Sequence, residues 1–384
     1  MSLRLKSGIA AALIVRDEAT FIEDCLISLK GTVDDVIVID TGSQDNTVDI
    51  ARQYGARLGY FAWCNDFSAA RNHALSQVTH EWVLYIDADE RLIVPDMAEW
   101  RACLADASKV ALNLRLHPKL GWTGYSEMRV FRNDPRIRFS GEIHERIQPA
   151  VHAVCVAEGL AVGDVNVSLQ HVGYEADQRP KLARNIPLLQ AYLAREPSRI
   201  YCWWHLGEQF RLMGDQAQAL AAWESGVAEA RTQPAVEPSD GMIFAALIVA
   251  RHQAGLPMDD LLAEAVQLFP LQHNLRWMVG KRALEKGDVD EARQIFNALT
   301  EIDPVQFFDG HAAYDRGLFT HMAQESLGLT EFRAGNFAAA AMHYRLAALT
   351  DPNPAPLRAK AALAAAKASL LAKQSQPPQA TIAS

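Results

Sequence analysis

The spacing of apolar positions divides the chain into two parts with different periods. Residues 8–90 alternate short, fully apolar runs with segments of helical spacing. Residues 9–15, 35–40 (DVIVID), 57–61 and 81–87 (EWVLYID) predict strands. Residues 19–30, 47–54 and 67–78 predict helices, the first through Phe21, Cys25, Leu26 and Leu29. Strands that are apolar on both faces and alternate with helices predict a parallel sheet covered on both sides. From Lys109 the runs KVALNLRLH, EMRVFRN and VNVSLQH predict irregular strands that extend it into a mixed sheet. After Glu175 strand signals nearly vanish, and the rest is helical and rich in Ala, Leu and Gln.

Three helical segments look alike: one from Trp203 (WWHLGEQFRLMGDQAQALAAWESGVAEA), one from Trp277 (WMVGKRALEKGDVDEARQIFNALTEIDP) and one from Ser326 (SLGLTEFRAGNFAAAAMHYRLAALTDP). Each places a glycine and an Asp or Asn between two helices, at Gly214-Asp215, Gly287-Asp288 and Gly335-Asn336. They resemble degenerate tetratricopeptide repeats, whose unit is a helix pair of ~34 residues. The glycines are separated by 73 and 48 positions, so insertions or an unrecognised repeat intervene. The expected division is a first domain at 1–175, a linking helix at 176–198, a repeat domain at 199–373 and a disordered tail at 374–384.

In an open parallel sheet, ligands bind outside the carboxyl ends of the strands. Four successive strand ends here carry polar groups: Arg16-Asp17-Glu18, Asp40-Thr41-Gly42-Ser43, then Trp63, Asn65 and Asp66, and Asp87-Ala88-Asp89-Glu90. A parallel sheet would bring all four to one rim. At a strand end the D-x-D of Asp87 and Asp89 suits a hard divalent cation. Mg²⁺ or Mn²⁺ takes oxygen ligands, needs few from the protein and shares the rest with diphosphate oxygens.

Composition bears on this in three places. The chain of 384 residues has a formal net charge of -9, with no basic excess of the kind a nucleic-acid binder shows. Residues 1–175 hold 17 basic and 24 acidic residues, so the acidic excess sits where the cation is expected. The five cysteines are scattered, which predicts reduced thiols and a cytoplasmic protein, or one peripheral to the inner face of a membrane. No apolar run approaches the ~18 residues of a membrane span, so no transmembrane segment is expected.

The segments ALIVRDEATFIEDCLISL, VDDVIVIDTGSQDNTVDIA, FSAARNHAL and EWVLYIDADE, in that order and spacing, resemble the family 2 glycosyltransferases with a GT-A fold. The later segments FSGEIHERI and LQHVGY resemble the branch that carries helical repeats at its C-terminus. The resemblance implies an α/β, Rossmann-like GT-A domain followed by an all-α tetratricopeptide-like domain. It also implies an inverting transferase that moves a sugar from a nucleotide-diphosphate donor to a glycan, a lipid-linked glycan or a protein. A protein partner would be held by the repeats. An inactive nucleotide-sugar domain on a repeat scaffold is the competing reading.

Carried over by position, Asp40 would face the base or ribose, with Arg16 and Glu18 beside it. Arg71 would support the nucleotide or its phosphates. Asp87 would contact the ribose or the cation's water shell, Asp89 would be the direct ligand of Mn²⁺ or Mg²⁺, and His171 would complete the metal site. Glu145 would be the general base, with His144 supporting it or touching the acceptor. The base remains open among Glu142, His144 and Glu145. If GEIHERI is extended, Glu142 and His144 face one side and Glu145 the other. Arg129, Arg132, Arg136 and Arg138 would bind phosphate or form a solvated face. Trp122 and Tyr125 would stack on sugar or pack in the core. All donor chemistry is expected before Glu175.

Overall fold

A computed structural model describes residues 5–173 and 179–374, and most of the expected tail lies outside them. Two compact units result. The first comprises residues up to 120, 124–235 and 308–313; the second comprises 121–123, 236–307 and the chain from 314.

The first unit is built on a nine-stranded mixed sheet. Its first half runs β1 (Lys6–Val15), α1 (Ile22–Leu29), β2 (Asp35–Asp40), α2 (Thr47–Gln53), β3 (Arg57–Tyr60), α3 (Phe67–Gln77) and β4 (His80–Tyr85). It continues through β5 (Glu90–Ile93), α4 (Met97–Ala105), β6 (Lys109–His117), β7 (Gly124–Arg132), α5 (Gln148–Glu158) and β8 (Ala161–His171). The helices α6 (Arg179–Leu193), α7 (Ile200–Leu212) and α8 (Gln216–Ala230) complete it. The spatial order is β3-β2-β1-β4-β7-β6-β8-β5.

Strands β1 to β4 are mutually parallel, so their carboxyl ends share one edge, as the apolar runs imply. Strand β7 is antiparallel to β4, β6 is antiparallel to β7, and β8 is parallel to β6. Two reversals return β8 to the direction of β4, so His171 ends on the same edge as the D-x-D.

Alternation along β1 shows why the strands read as continuous apolar runs. Ile9, Ala11, Leu13 and Val15 enter one core, and Ala10 and Ala12 enter the other. Both faces are covered, so neither can be polar. The large indoles fit because their donors are satisfied. Trp82 Nε1 donates to the Leu104 carbonyl at 2.7 Å, and Trp100 Nε1 to that of Thr32 at 3.0 Å.

The second unit is helical: α9 (Gly241–Gln253), α10 (Asp259–Leu268), α11 (His273–Lys286), α12 (Val289–Thr300), α13 (His321–Arg333), α14 (Phe337–Thr350) and α15 (Ala355–Gln374). Between α12 and α13 lies the short strand β9 (Phe308–Asp309), which pairs with β7 in the first unit's sheet. Gln374, the first residue of the expected tail, is the last of α15. Among the described residues, no helix is long and apolar enough to cross a membrane. The expected class, an α/β unit followed by an all-α region, is the one observed.

A shared rule shapes the three look-alike hairpins. A Cβ on Gly207 would stand 2.1 Å from the Trp223 ring, one on Gly280 2.8 Å from Phe296, and one on Gly328 2.7 Å from Tyr344. In each pair the aromatic follows 16 positions after the glycine, and seven positions after it comes a turn glycine, at 214, 287 and 335. These turn glycines have φ of +83°, +88° and +81°, the left-handed region that ends a helix without a Cβ clash. The helix glycine lets two helices approach over an aromatic ring.

Alanine at position 207 gains about 1 kcal/mol of helix propensity. It also forces a methyl into the Trp223 indole, and overpacking costs about 1–3 kcal/mol. Gly207→Ala is therefore expected to lower the thermal midpoint of unfolding measured by circular dichroism. An unchanged or higher midpoint would show that the indole moves aside at no cost.

Candidate functional site

The loops after β1 and β2 are tied into one rim. The Glu18 N–H donates to Thr47 Oγ1 at 2.8 Å, the Ala19 N–H to Asp45 Oδ2 at 3.0 Å, and the Gln44 N–H to Asp17 Oδ1 at 2.7 Å. Asp40 lies at the end of β2, only 6% exposed, and its carboxylate accepts from the N–H groups of Gly42 and Ser43 at 3.1 and 3.0 Å. It therefore shapes the turn as well as presenting an acceptor there. Arg16 is half-exposed, with Asp17 3.9 Å away.

Helix α3 starts where Asp66 caps it, accepting from the Ala69 N–H at 3.0 Å. Its first N–H, on Phe67, donates to the Glu142 carbonyl at 2.9 Å, and the Ser68 hydroxyl donates to the Gly141 carbonyl. These contacts fasten the segment at 141–147 to the helix start. That segment is not the extended strand on which its side-chain alternation would rest. It is a loop closed by a Ser140–Arg146 backbone pair, with Gly141 at φ +98° and His144 at φ +49°. Its three candidate groups consequently take three different partners.

Glu145 pairs with Arg71, whose Nε lies 2.5 Å from Oε1, while Arg71 Nη2 lies 2.8 Å from Asp87 Oδ1. Glu142 pairs with Arg195. His144 stacks on His205 of α7, with ring centroids 3.8 Å apart. The Nε2 atoms of both imidazoles are buried without a hydrogen-bond partner among the described residues. Burial, then Arg199, pushes His144 down to about 4, so it is neutral at physiological pH. Burial, then His144, pushes His205 down as well.

The D-x-D turn sends its carboxylates to different partners. Asp87 faces Arg71: burial raises its pKa, and Arg71 with Arg129 outweighs that and holds it below the usual range. Asp89 Oδ2 lies 3.2 Å from His171 Nε2 and 3.3 Å from Lys181 Nζ on α6. Burial opposes its ionisation, but those two groups hold Asp89 well below the usual range. The turn is closed by Glu90, 1% exposed, which accepts from the Asp87 N–H at 2.9 Å and takes both arms of Arg129 at 2.8 and 3.0 Å. Gly173 packs so tightly here that a Cβ would meet Asp89 Oδ2 at 2.1 Å.

Two ligands ~2.1 Å from one ion and about 90° apart stand ~3 Å from each other. The Asp89–His171 spacing matches that; the carboxylate oxygen suits either Mn²⁺ or Mg²⁺, and the imidazole nitrogen favours Mn²⁺ of the two. Among the described residues no group of three or more His, Cys, Asp or Glu could hold an ion, so further ligands would have to come from substrate or water.

The other arginines near the loop are engaged structurally. Arg132 lies 4.1 Å over the Trp82 ring, Arg136 pairs with Asp134 and Glu158, and Arg138 donates to the carbonyls of Asp134 and Ile137. Tyr125 on β7 is partly buried against the core, and Trp122 belongs to the second unit, bridging to Asp315. Sequence reasoning missed Lys181, Arg184 and His205, and placed Glu90 at the fourth strand end without a role. Lys181 and Arg184 had a readable signal, a basic pair three residues apart on a predicted helix.

Glu18 lies within electrostatic reach of Asp87, Asp89, Lys181 and Arg184. Burial first, then the two aspartates, raises its carboxyl from 4.5 to about 7 against the opposing cations. The folded state thus holds this proton across the window from 4.5 to about 7, while the unfolded chain has lost it. Glu18 therefore lowers stability progressively as pH rises through that window. Glu18→Gln is expected to raise the melting temperature at pH 8 and leave it unchanged at pH 4. An equal gain at both would assign the effect to packing.

The family model for glycosyl transferase family 2 matches residues 11–96. A TPR repeat-containing protein of Synechococcus elongatus is 35% identical over 256 residues, covering 65% of this chain and 63% of the relative. The SPbeta prophage-derived glycosyltransferase SunS of Bacillus subtilis is 29% identical over 225 residues, covering 55% of this chain and 51% of the relative. The chain thus spans between half and two thirds of the length of these relatives. Among solved structures, glucosyl-3-phosphoglycerate synthase from Mycobacterium tuberculosis, in complex with Mn²⁺, uridine diphosphate and glucosyl-3-phosphoglycerate, overlaps with a TM-score of 0.36 at 18% identity, over 49% of this chain and 79% of that one. Residues 11–96, which hold the carboxyl ends of β1 to β4 and the D-x-D turn, thus match the glycosyl transferase family 2 model, and the chain continues into helical hairpins.

Proposed function

We propose that the chain is an inverting glycosyltransferase that moves a sugar from a nucleotide-diphosphate donor to a glycan, a lipid-linked glycan or a protein. The observation that carries this reading is the ion-pair chain Asp87–Arg71–Glu145, which links the D-x-D turn to the candidate base across one buried guanidinium.

In this reading Asp40, with Arg16 and Glu18 beside it, receives the nucleoside. Asp87 accepts from the ribose, and its carboxylate is kept ionised by Arg71. Glu145 takes the acceptor's proton; Arg71 occupies Oε1 and leaves Oε2 for that task. His144, neutral beside it, supports the loop that carries the base. A divalent ion at Asp89 and His171 would, when bound, stabilise the charge of the leaving diphosphate. The five free cysteines agree with a cytoplasmic setting.

The helical unit supplies the recognition surface. It holds a cavity of about 510 Å³ whose lining includes Trp277, Met322, Leu329 and Phe332, with Lys281 over the Trp277 ring and Lys360 paired with Glu325. A largely apolar floor suits a protein or peptide partner, and concave helix stacks present such surfaces.

The test is a screen of nucleotide sugars with Mn²⁺, read by release of nucleoside diphosphate. One donor is expected to be hydrolysed slowly without an acceptor, and release from none of them would contradict the reading. With that donor in hand, Asp89→Asn is expected to abolish Mn²⁺-dependent nucleotide binding in calorimetry. Glu145→Gln is expected to keep that binding and to reduce transfer at least ~10²-fold, the low end for a lost general base. Full transfer by Glu145→Gln beside an inactive Glu142→Gln would move the base to Glu142.

A further inference from the structure

Helix α6 follows β8, yet two of its side chains reach the strand-end rim. Lys181 Nζ lies 3.3 Å from Asp89 Oδ2. Arg184, one helical turn on, has its guanidinium 5.2 Å over the Phe67 ring at the start of α3, with Glu18 and Arg16 as its electrostatic neighbours. Residues three apart share a helix face, so both cations face the same rim.

Lys181 and His171 approach the same oxygen, Asp89 Oδ2, so a divalent ion bound to that oxygen would stand close to the ammonium. Two positive centres on one carboxylate oxygen repel. Entry of the ion therefore weakens the Lys181–Asp89 pair and favours release of the ammonium. Lys181 has a flexible four-carbon stem and a side chain 38% exposed, so solvent-side room is available. Besides Glu18, its electrostatic neighbour, the anion such an ion would bring within reach is the donor diphosphate.

Resting on the donor reading above, we propose that Lys181 and Arg184 of α6 are a cation pair for the donor diphosphate, and that Lys181 serves as the counter-ion of Asp89 until a divalent ion takes that place. No covalent step is involved: one ion pair, Lys181–Asp89, is exchanged for a metal–carboxylate contact and a Lys181–phosphate pair. The rim then carries cations from both ends of the first unit's sequence. Arg16 and Arg71 come from the family 2 domain, and Lys181 and Arg184 come from the helix beyond it. Donor chemistry therefore does not end at Glu175.

The exchange makes Lys181 act in opposite directions on two ligands, which a purely structural role would not do. In the full chain, Lys181→Met is expected to tighten Mn²⁺ binding without nucleotide by about 2- to 5-fold, the worth of a partly exposed ion pair. Free Mn²⁺ is read by paramagnetic resonance. The same variant is expected to weaken nucleoside diphosphate binding in the presence of a chelator at least ~10-fold, the worth of a charge-assisted hydrogen bond. Uridine, guanosine and thymidine diphosphates are the probes, by calorimetry. Lys181→Gln should repeat both shifts, and Lys181→Arg should restore nucleotide binding. Arg184→Met should weaken the nucleotide alone and leave Mn²⁺ affinity unchanged. Unchanged affinities in Lys181→Met and Lys181→Gln, or a loss of Mn²⁺ affinity in both, overturn the inference. So does nucleotide binding by the unsubstituted protein that requires Mn²⁺ absolutely, an outcome that leaves the donor reading standing. Binding of no diphosphate by the unsubstituted protein under either condition removes the donor reading, and this inference with it.

Discussion

A buried guanidinium must be paired, and the way Arg71 meets that requirement organises the site. It is 7% exposed, held between the carboxylates of Asp87 and Glu145, with the rings of Tyr85 and Phe139 5.1 and 5.7 Å away. Removing one partner of such a group leaves a buried charge uncompensated, at a cost of about 3–5 kcal/mol. The arrangement therefore fixes three elements together: the end of β4, the first turns of α3 and the loop at 141–147. The cap by Asp66 and the Phe67 N–H bond to Glu142 set the helix start from which Arg71 reaches both acids.

A second buried pair repeats the logic behind the first. Glu90 and Arg129 meet in a two-armed contact, and Glu90 also accepts the Asp87 N–H, so the turn carrying Asp87 and Asp89 is held from below. Asp87 is thereby committed to Arg71 and Asp89 to the side of His171 and α6. The D-x-D is two acids with separate partners, one facing Arg71 and through it Glu145, the other facing His171 and Lys181.

Much of this was legible in the sequence where burial imposes a pattern. The runs at 9–15, 35–40 and 81–87 read as strands because both faces of the sheet are covered, and parallel pairing then placed four polar strand ends on one edge. The strand β5 was not legible, since four residues directly after the D-x-D carry no period of their own. The loop at 141–147 was not legible either: its course depends on left-handed backbone at Gly141 and His144 and on carbonyls that cap another helix. Lys181 lay in view as a basic residue on a helix, but its pairing with Asp89 is set by where β8 ends.

The repeats show the same division between local and tertiary signals. The glycine–aromatic spacing of 16 and the turn glycine seven positions on were in the sequence, because each hairpin must bring two helices close over one ring. The irregular gaps between hairpins have identifiable contents. Helices α9 and α10, joined at the left-handed Gly255, stand between the first hairpin and the second. A non-helical stretch with β9 and a 3₁₀ turn at Arg316–Phe319 stands between the second and the third.

We propose the carboxyl edge of β1 to β4 as the nucleotide-sugar site. The most direct measurement is a crystal structure of the full chain with Mn²⁺ and the nucleoside diphosphate it binds best. The ion is expected on Asp89 and His171, the diphosphate against that ion, and the nucleoside beside Asp40. A nucleotide seated elsewhere, in the cavity of the helical unit for example, with Lys181 still on an ion-free Asp89, would contradict it.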